Sequence, residues 1–432
     1  VIPAFPGAAR SRLLPASVPF RYFGAAVLFH VVAWAALVAG AKDLMGFAGG
    51  IGPVFAALHL TTLGVLAMTA IGATLQLLPV ATRQPVRSVS AAKLVWWLLT
   101  PGVALFAAAA GLYRPQWMSV GATLVVAALA IYGWLLAENL RHARGMRIVV
   151  LHGWAALGAL TLLVVSGLGL VAYYEHGVAL DRGAFAAVHL VVATYGFMGL
   201  LALGLSQFLL PMFALSPAPA PRIAKWTLAM ASGAIAGAVL DRLLFGQTAL
   251  LAAATALGLA AAVTHVISME RAMARRLRPP LGPAFLLIRI GWACLIASLG
   301  LALPLALGWR ANGALAAFGV LLIAGWLLTF LLAVLQRIVP FLASAHAGGG
   351  ARGMPLVSPL EPGGSLAVHR VLHVVALVGL LVAIAAQAEG LARVAAATGL
   401  AGAIAFSLFF TRSLMRLRAA RLESEPAAPA SG

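Results

Sequence analysis

The side chains of this sequence best suited to chemistry are its histidines, ten in all. His59 and His189 stand at the heads of two similar apolar stretches, HLTTLGVLAMTAIGATLQLLP (59–79) and HLVVATYGFMGLLALGLSQFLLP (189–211). A neutral imidazole is a good ligand for iron or copper, and its second ring nitrogen needs a partner of its own. With a rise of about 1.5 Å per residue, each lies roughly 9 Å inside its end of a helix. Equal depth on two related helices suits a porphyrin iron held from both faces. Two rings on one copper would sit closer and would need a third ligand, for which the sequence offers no firm candidate. Thr61, Thr62 and Thr194 are the nearby side chains that could accept from the second nitrogen. His152, His265 and His373 form a set at the opposite end of their helices, with His152 and His373 the next candidates for cofactor ligation. His369 and His373 share a helical face at i, i+4, and His30 lies deeper on the first span. His142, His176 and His346 fall at helix ends or in loops. For every one of these the plain alternative is a hydrogen bond between neighbouring helices.

The elements that must carry these residues are membrane helices. The 432 residues are 63% hydrophobic and 9% charged, and the mean hydropathy is +1.04, a balance that belongs to an integral membrane protein. Twelve apolar spans can each cross a core about 30 Å thick: 20–41, 52–80, 93–113, 117–138, 148–172, 184–214, 223–243, 248–269, 284–308, 313–342, 365–387 and 391–411. The single cysteine, Cys294, lies within an apolar span, which argues against disulfides, iron–sulfur clusters and structural zinc. The first residues show no short apolar run with a small-residue cleavage site, so no secretory leader is expected there.

A repeat organises the spans. The stretches ending at Pro79 and Pro211 have a third counterpart, 318–340, which ends Gln336-x3-Pro340 and has no histidine. The prolines stand 132 (211 − 79) and 129 (340 − 211) residues apart, and a near-constant period implies one unit used three times. The fourth span of each unit ends in a basic run: RHARGMR (141–147), RAMARRLR (271–278) and RSLMRLRAAR (412–421). The expected fold is therefore all-α and polytopic, with twelve helices in three pseudo-repeated four-helix arcs. The arcs are residues 1–146, 147–281 and 282–422, followed by a disordered tail, 423–432.

Basic residues set the orientation. With both termini inside, 23 of the 29 Lys and Arg lie on the inner side, leaving Lys42, Arg114, Arg182, Arg242, Arg310 and Arg393 outside. That asymmetry predicts an N-in, C-in protein of the bacterial inner membrane. It also accounts for the net charge of +19 through contact with an anionic lipid leaflet, and nucleic acid is not an expected partner. The ten acidic residues fall in loops or near helix ends, so no membrane-buried carboxylate of the kind used by ion-coupled transporters stands out.

Twelve helices in three arcs, with an early histidine on the second and sixth, resemble subunit I of the haem–copper oxidase superfamily, which includes nitric oxide reductases. The NnrS group of nitric-oxide-stress membrane haem proteins is similar. The resemblance implies haem b, with copper as a second cofactor, and a cytochrome or another respiratory-complex subunit as partner. It implies that His59 binds a low-spin haem and that His189 binds the active-site copper or non-haem iron. Two departures stand against a complete oxidase site. The family's seventh helix carries a His-His pair, where this chain reads RIAKWTLAMASG. Its tenth carries His-x-His, where this chain reads NGALAAFGVLLIAGW.

The expected function is a haem-binding membrane protein of oxidase-like architecture without the full binuclear centre. It would serve electron transfer, or haem and copper handling linked to respiration or nitric oxide, and would not act as a terminal oxidase. A metal-free transporter and a structural subunit of a respiratory complex remain the alternatives, since internal repeats are also a transporter feature.

Overall fold

The computed structural model describes residues 12–277, 281–347 and 363–422; the tail at 423–432 lies outside them. Among the described residues, twelve helices are long and apolar enough to cross a membrane. They are α1 (Ser17–Ala39), α2 (Pro53–Thr82), α3 (Val89–Gly111), α4 (Pro115–Arg141), α5 (Arg147–His176), α6 (Arg182–Ala214), α7 (Pro221–Phe245), α8 (Thr248–Ala274), α9 (Pro283–Ala306), α10 (Ala314–His346), α11 (Gly363–Ala385) and α12 (Glu389–Ala419). The protein is an all-α, polytopic membrane protein. Each expected span has its helix, and most helices run a few residues past the apolar stretch. α12 extends furthest, because its basic final turns continue the helix beyond the hydrophobic run.

Local chemistry sets the helix starts. The Ser88 hydroxyl accepts from the Ala91 N–H ahead of α3, and the Asp181 carboxylate accepts from the Ala184 N–H ahead of α6, a capping arrangement for otherwise orphan donors. Pro53, Pro115, Pro221 and Pro283 occupy first-turn positions, where the missing N–H costs nothing. Large apolar side chains such as Leu28, Trp97 and Val371 remain exposed on the outside of the bundle, as helices surrounded by lipid require.

α2, α6 and α10 form the centre. Their spans are 67%, 56% and 67% buried, against 28% for α7 and α8. Each of the three central helices widens into a π-helical segment near its middle: Leu60–Ala67, Val192–Gly199 and Val320–Leu328. In the first, the Met68 N–H reaches back five residues to the Leu63 carbonyl. Such segments are rare and concentrate at functional sites. The segment of α10 packs against those of both α2 and α6. Beyond each segment an interior proline follows, at Pro79, Pro211 and Pro340.

Because an even number of spans alternates in direction, both described ends of the chain lie at one end of the bundle. The His59 and His189 turns, early in α2 and α6, lie toward the other, far end.

Candidate functional site

Between the three π segments lies a cavity of about 860 Å³, within the 300–1,000 Å³ range of cofactor and ligand sites. Its wall is mostly apolar and includes Leu66, Phe106, Phe197, Met198, Ile323 and Trp326. His59 and His189 both line it. The structure brings this pair together, with ring centroids 6.5 Å apart and planes inclined by 28°.

Hydrogen bonds fix which nitrogen of each ring is free. The Nδ1 of His59 lies 3.0 Å from the Phe55 carbonyl. A carbonyl only accepts, so Nδ1 carries the proton and Nε2 keeps a lone pair. The Nδ1 of His189 lies 3.2 Å from the Ser166 hydroxyl. That hydroxyl spends its own hydrogen on the Leu162 carbonyl at 2.7 Å, so it accepts from His189, and Nε2 again keeps a lone pair. Packing holds both rings. Phe55 stacks on His59 with centroids 4.0 Å apart, and Phe106 meets it edge-on at 5.2 Å. A Cβ on Gly167 would lie 3.1 Å from the His189 Cε1, so glycine keeps that side of the ring clear. The acceptors are therefore Phe55 and Ser166. The threonines near in sequence serve otherwise: Thr61 donates to the Ala57 carbonyl and Thr194 to the Leu190 carbonyl, each closing its own helical turn.

The 6.5 Å between the ring centroids is of the size needed for two imidazole nitrogens to bind one metal ion at about 2 Å per bond. Among the described residues no group of three or more His, Cys, Asp or Glu is placed to hold a metal ion. Of those four residue types, the cavity presents two imidazoles, a donor set that suits a macrocycle bringing its own further nitrogens.

Arg182, Arg242 and Arg310 also line the cavity and were not legible as site residues, since a basic residue at a helix end reads as a topology signal. Arg182 donates to the Tyr174 hydroxyl at 3.1 Å. Arg310 donates to the Leu305 and Trp309 carbonyls. Arg242 pairs at 3.0 Å with Asp241, whose carboxylate is wholly buried at the far end of α7; its other oxygen accepts from the Gln247 N–H at 2.7 Å. Tyr195, which stacks on Trp326 with centroids 5.6 Å apart, lines the same wall.

The remaining candidates lie apart from the His59–His189 pair. His152 and His373 take different partners. The His152 Nδ1 donates to the Ile148 carbonyl at 2.8 Å, and its ring packs against Gly204 of α6. His265 of α8 contacts Ser206 of α6 through Nε2 at 3.3 Å. His373 belongs to a third group with His369 and His30, whose neighbouring rings are 5.6 Å (His369–His373) and 6.3 Å (His30–His369) apart. His142 and His176 are exposed, as a position at a helix end suggests. His346 is half-buried, bonding the Leu14 carbonyl through Nε2 at 3.0 Å.

No family model matches the chain, and no curated protein is similar to it in sequence. The comparison with solved structures is positive. A chain of a haem–copper terminal oxidase dimer superposes with a TM-score of 0.65, over 97% of this chain and 86% of that one, at 10% sequence identity. The protein has the fold of a haem–copper terminal oxidase chain. Within that oxidase fold, the α10 wall of the cavity presents Phe318, Ile323 and Trp326.

Proposed function

We propose that the protein is a haem protein of the bacterial inner membrane, in which His59 and His189 would hold one haem b in the central cavity. One observation carries the reading: two free Nε2 lone pairs, on rings 6.5 Å apart, bordering a large apolar cavity. When bound, the haem supplies one-electron transfer. The chain's own residues hold and orient it. Phe55 and Ser166 fix the tautomers, and Phe106 and Gly167 set the ring positions. Arg182 and Arg310, on the cavity wall, would offer positive charge to the haem carboxylates. The chain's one cysteine, Cys294, lies outside any Cys-x-x-Cys-His attachment sequence, which favours a non-covalent haem.

The π segments near the middle of α2, α6 and α10, three of the four among the described residues, stand at corresponding places in the sequence and support reading the bundle as three four-helix units. The absence of the oxidase histidines from the α7 and α10 sequences favours electron transfer or haem handling over oxygen reduction. A respiratory cytochrome or complex subunit is the expected partner. The basic bias supports N-in, C-in insertion, and reporter fusions at the loops holding Arg83 and Arg144 should report cytoplasm, with those near Asp181 and Arg310 reporting the outside.

The decisive experiment is an absorbance spectrum of the full-length protein purified after expression with haem supply. A Soret band with the sharp reduced bands of a six-coordinate, bis-imidazole haem is expected. A protein that carries no haem under these conditions would overturn the reading in favour of a transporter or structural subunit.

A further inference from the structure

The third histidine group has a property that the cavity pair lacks: its hydrogen bonds run in one direction and stop at a single gap. Trp34 lines the cavity, and its Nε1–H donates to the Nε2 of His30 at 3.0 Å. An indole nitrogen only donates, so His30 accepts at Nε2 and carries its proton on Nδ1. On α11, the Nδ1 of His369 lies 3.0 Å from the Gly402 carbonyl of α12. That nitrogen must donate, which leaves a lone pair on Nε2. His30 and His369 are 2% and 0% exposed. The His30 Nδ1 and the His369 Nε2, one donor and one acceptor, meet no protein partner.

The rings are close, with centroids 6.3 Å apart and planes at 77°. Subtracting one ring radius at each side leaves at least ~4 Å between the two nitrogens, beyond a direct hydrogen bond. His373 adds a further acceptor to the group. Its Nε2 lies 2.7 Å from the Thr329 hydroxyl, whose own hydrogen goes to the Ala324 carbonyl at 2.8 Å. His373 therefore donates there and keeps a lone pair on Nδ1, on a ring 5.6 Å from that of His369.

We propose that this group is a binding site for a single water molecule between α1 and α11. The water accepts from the Nδ1–H of His30 and donates to the Nε2 of His369, and its second hydrogen has the His373 lone pair as an acceptor. Three such bonds are typical of a buried water. The bound water completes a chain from the cavity wall at Trp34 to the α12 backbone at Gly402. The same bonding argues against a metal ion as occupant. Ligation through the His30 Nδ1 would require that nitrogen to lose its proton while Nε2 still accepts from Trp34. This site is independent of the haem reading, because none of these three histidines borders the central cavity.

The test uses the full-length protein in lipid bilayers, with ¹⁵N-labelled histidine observed by solid-state NMR and assigned with the His30→Gln and His369→Gln variants. Both rings are expected as neutral tautomers protonated at Nδ1, with the His30 Nδ1–H in contact with a long-lived water proton. A high-resolution density map of the unmodified protein should show one peak within hydrogen-bonding distance of both nitrogens. A proton on Nε2 of either ring, or a map in which the two rings bond directly, would overturn the proposal. So would copper, zinc or iron retained one-to-one by the unmodified protein and lost from both variants. The map of the unmodified chain decides the matter even if neither variant folds.

Discussion

The pair His59–His189 and the pair His30–His369 have nearly the same ring separation, 6.5 and 6.3 Å, yet the surroundings prepare them for different chemistry. At the cavity, both Nδ1 atoms donate to oxygen acceptors, one carbonyl and one serine hydroxyl. Two lone pairs then face a space large enough for a cofactor. Near α11, one ring accepts from an indole and the other donates to a carbonyl. That leaves one buried donor and one buried acceptor, on neighbouring rings, without a protein partner. The distance between two imidazoles does not define their ligand. The group bonded to the far nitrogen of each ring does, because it sets whether the near nitrogen offers a proton or a lone pair.

The largest expected effect separates the two pairs outright. His59→Ala and His189→Ala should each abolish the haem absorbance, whereas His30→Gln and His369→Gln should leave it at the level of the unmodified protein. Full haem retention in either alanine variant would remove that residue from the axial position. A steric version of the same break is Gly167→Val, whose branched side chain must displace the His189 ring. It should give a haem content well below half, measured by the pyridine haemochrome assay, with the helical content by circular dichroism unchanged.

A smaller effect is expected at Ser166. Replacing it with alanine leaves His189 able to donate elsewhere and costs orientation rather than a ligand. Haem affinity should fall by about 10–100-fold, the usual consequence of removing a partner of a metal-bound histidine, and haem titration of the apoprotein would read it. Arg310→Gln keeps the ligands and removes one charge from the cavity wall. Haem binding should weaken only a few-fold, while the midpoint potential moves downward, since positive charge stabilises the reduced iron. An unchanged potential would place the haem carboxylates away from Arg310.

At the bottom of the scale, Thr329→Val should lower stability by roughly 1–3 kcal/mol by leaving the His373 Nε2 without its acceptor. Denaturation in mild detergent would measure it, and the haem spectrum should not move. A shifted Soret band in this variant would mean that the two histidine groups are coupled, contrary to the comparison.

The twelve spans were legible because a run of about 20 apolar residues has no stable alternative in lipid. The pairing of His59 with His189 was legible because both sit at the same depth on similar helices. The orienting groups were not. The Phe55 carbonyl carries no sequence signature, since every residue has one, and Ser166 lies on α5, 23 residues before the histidine it holds. The neighbourhood of His30 and His369 could not be read at all, because it forms when α12 packs on both α11 and α1, which requires the full topology. The π segments were equally hidden. LTTLGVLA, VATYGFMG and VLLIAGWLL have the composition of ordinary apolar helix, and the wider turn is a property of packing among the central helices.

Those π segments have a consequence for how such a site can change. A five-residue return path accommodates one residue more than the α-helix around it, so each central helix carries a local surplus of chain. Deleting one residue from 60–67 would let the helix tighten to α geometry. Everything before the deletion would turn by about 100° and draw in by about 1.5 Å. His59 stands immediately before that stretch, so the deletion would swing its ring off the cavity wall with no side chain at the site replaced. The gain or loss of a single codon is therefore a route by which this bundle can acquire or discard a ligand while its twelve-helix frame stays intact.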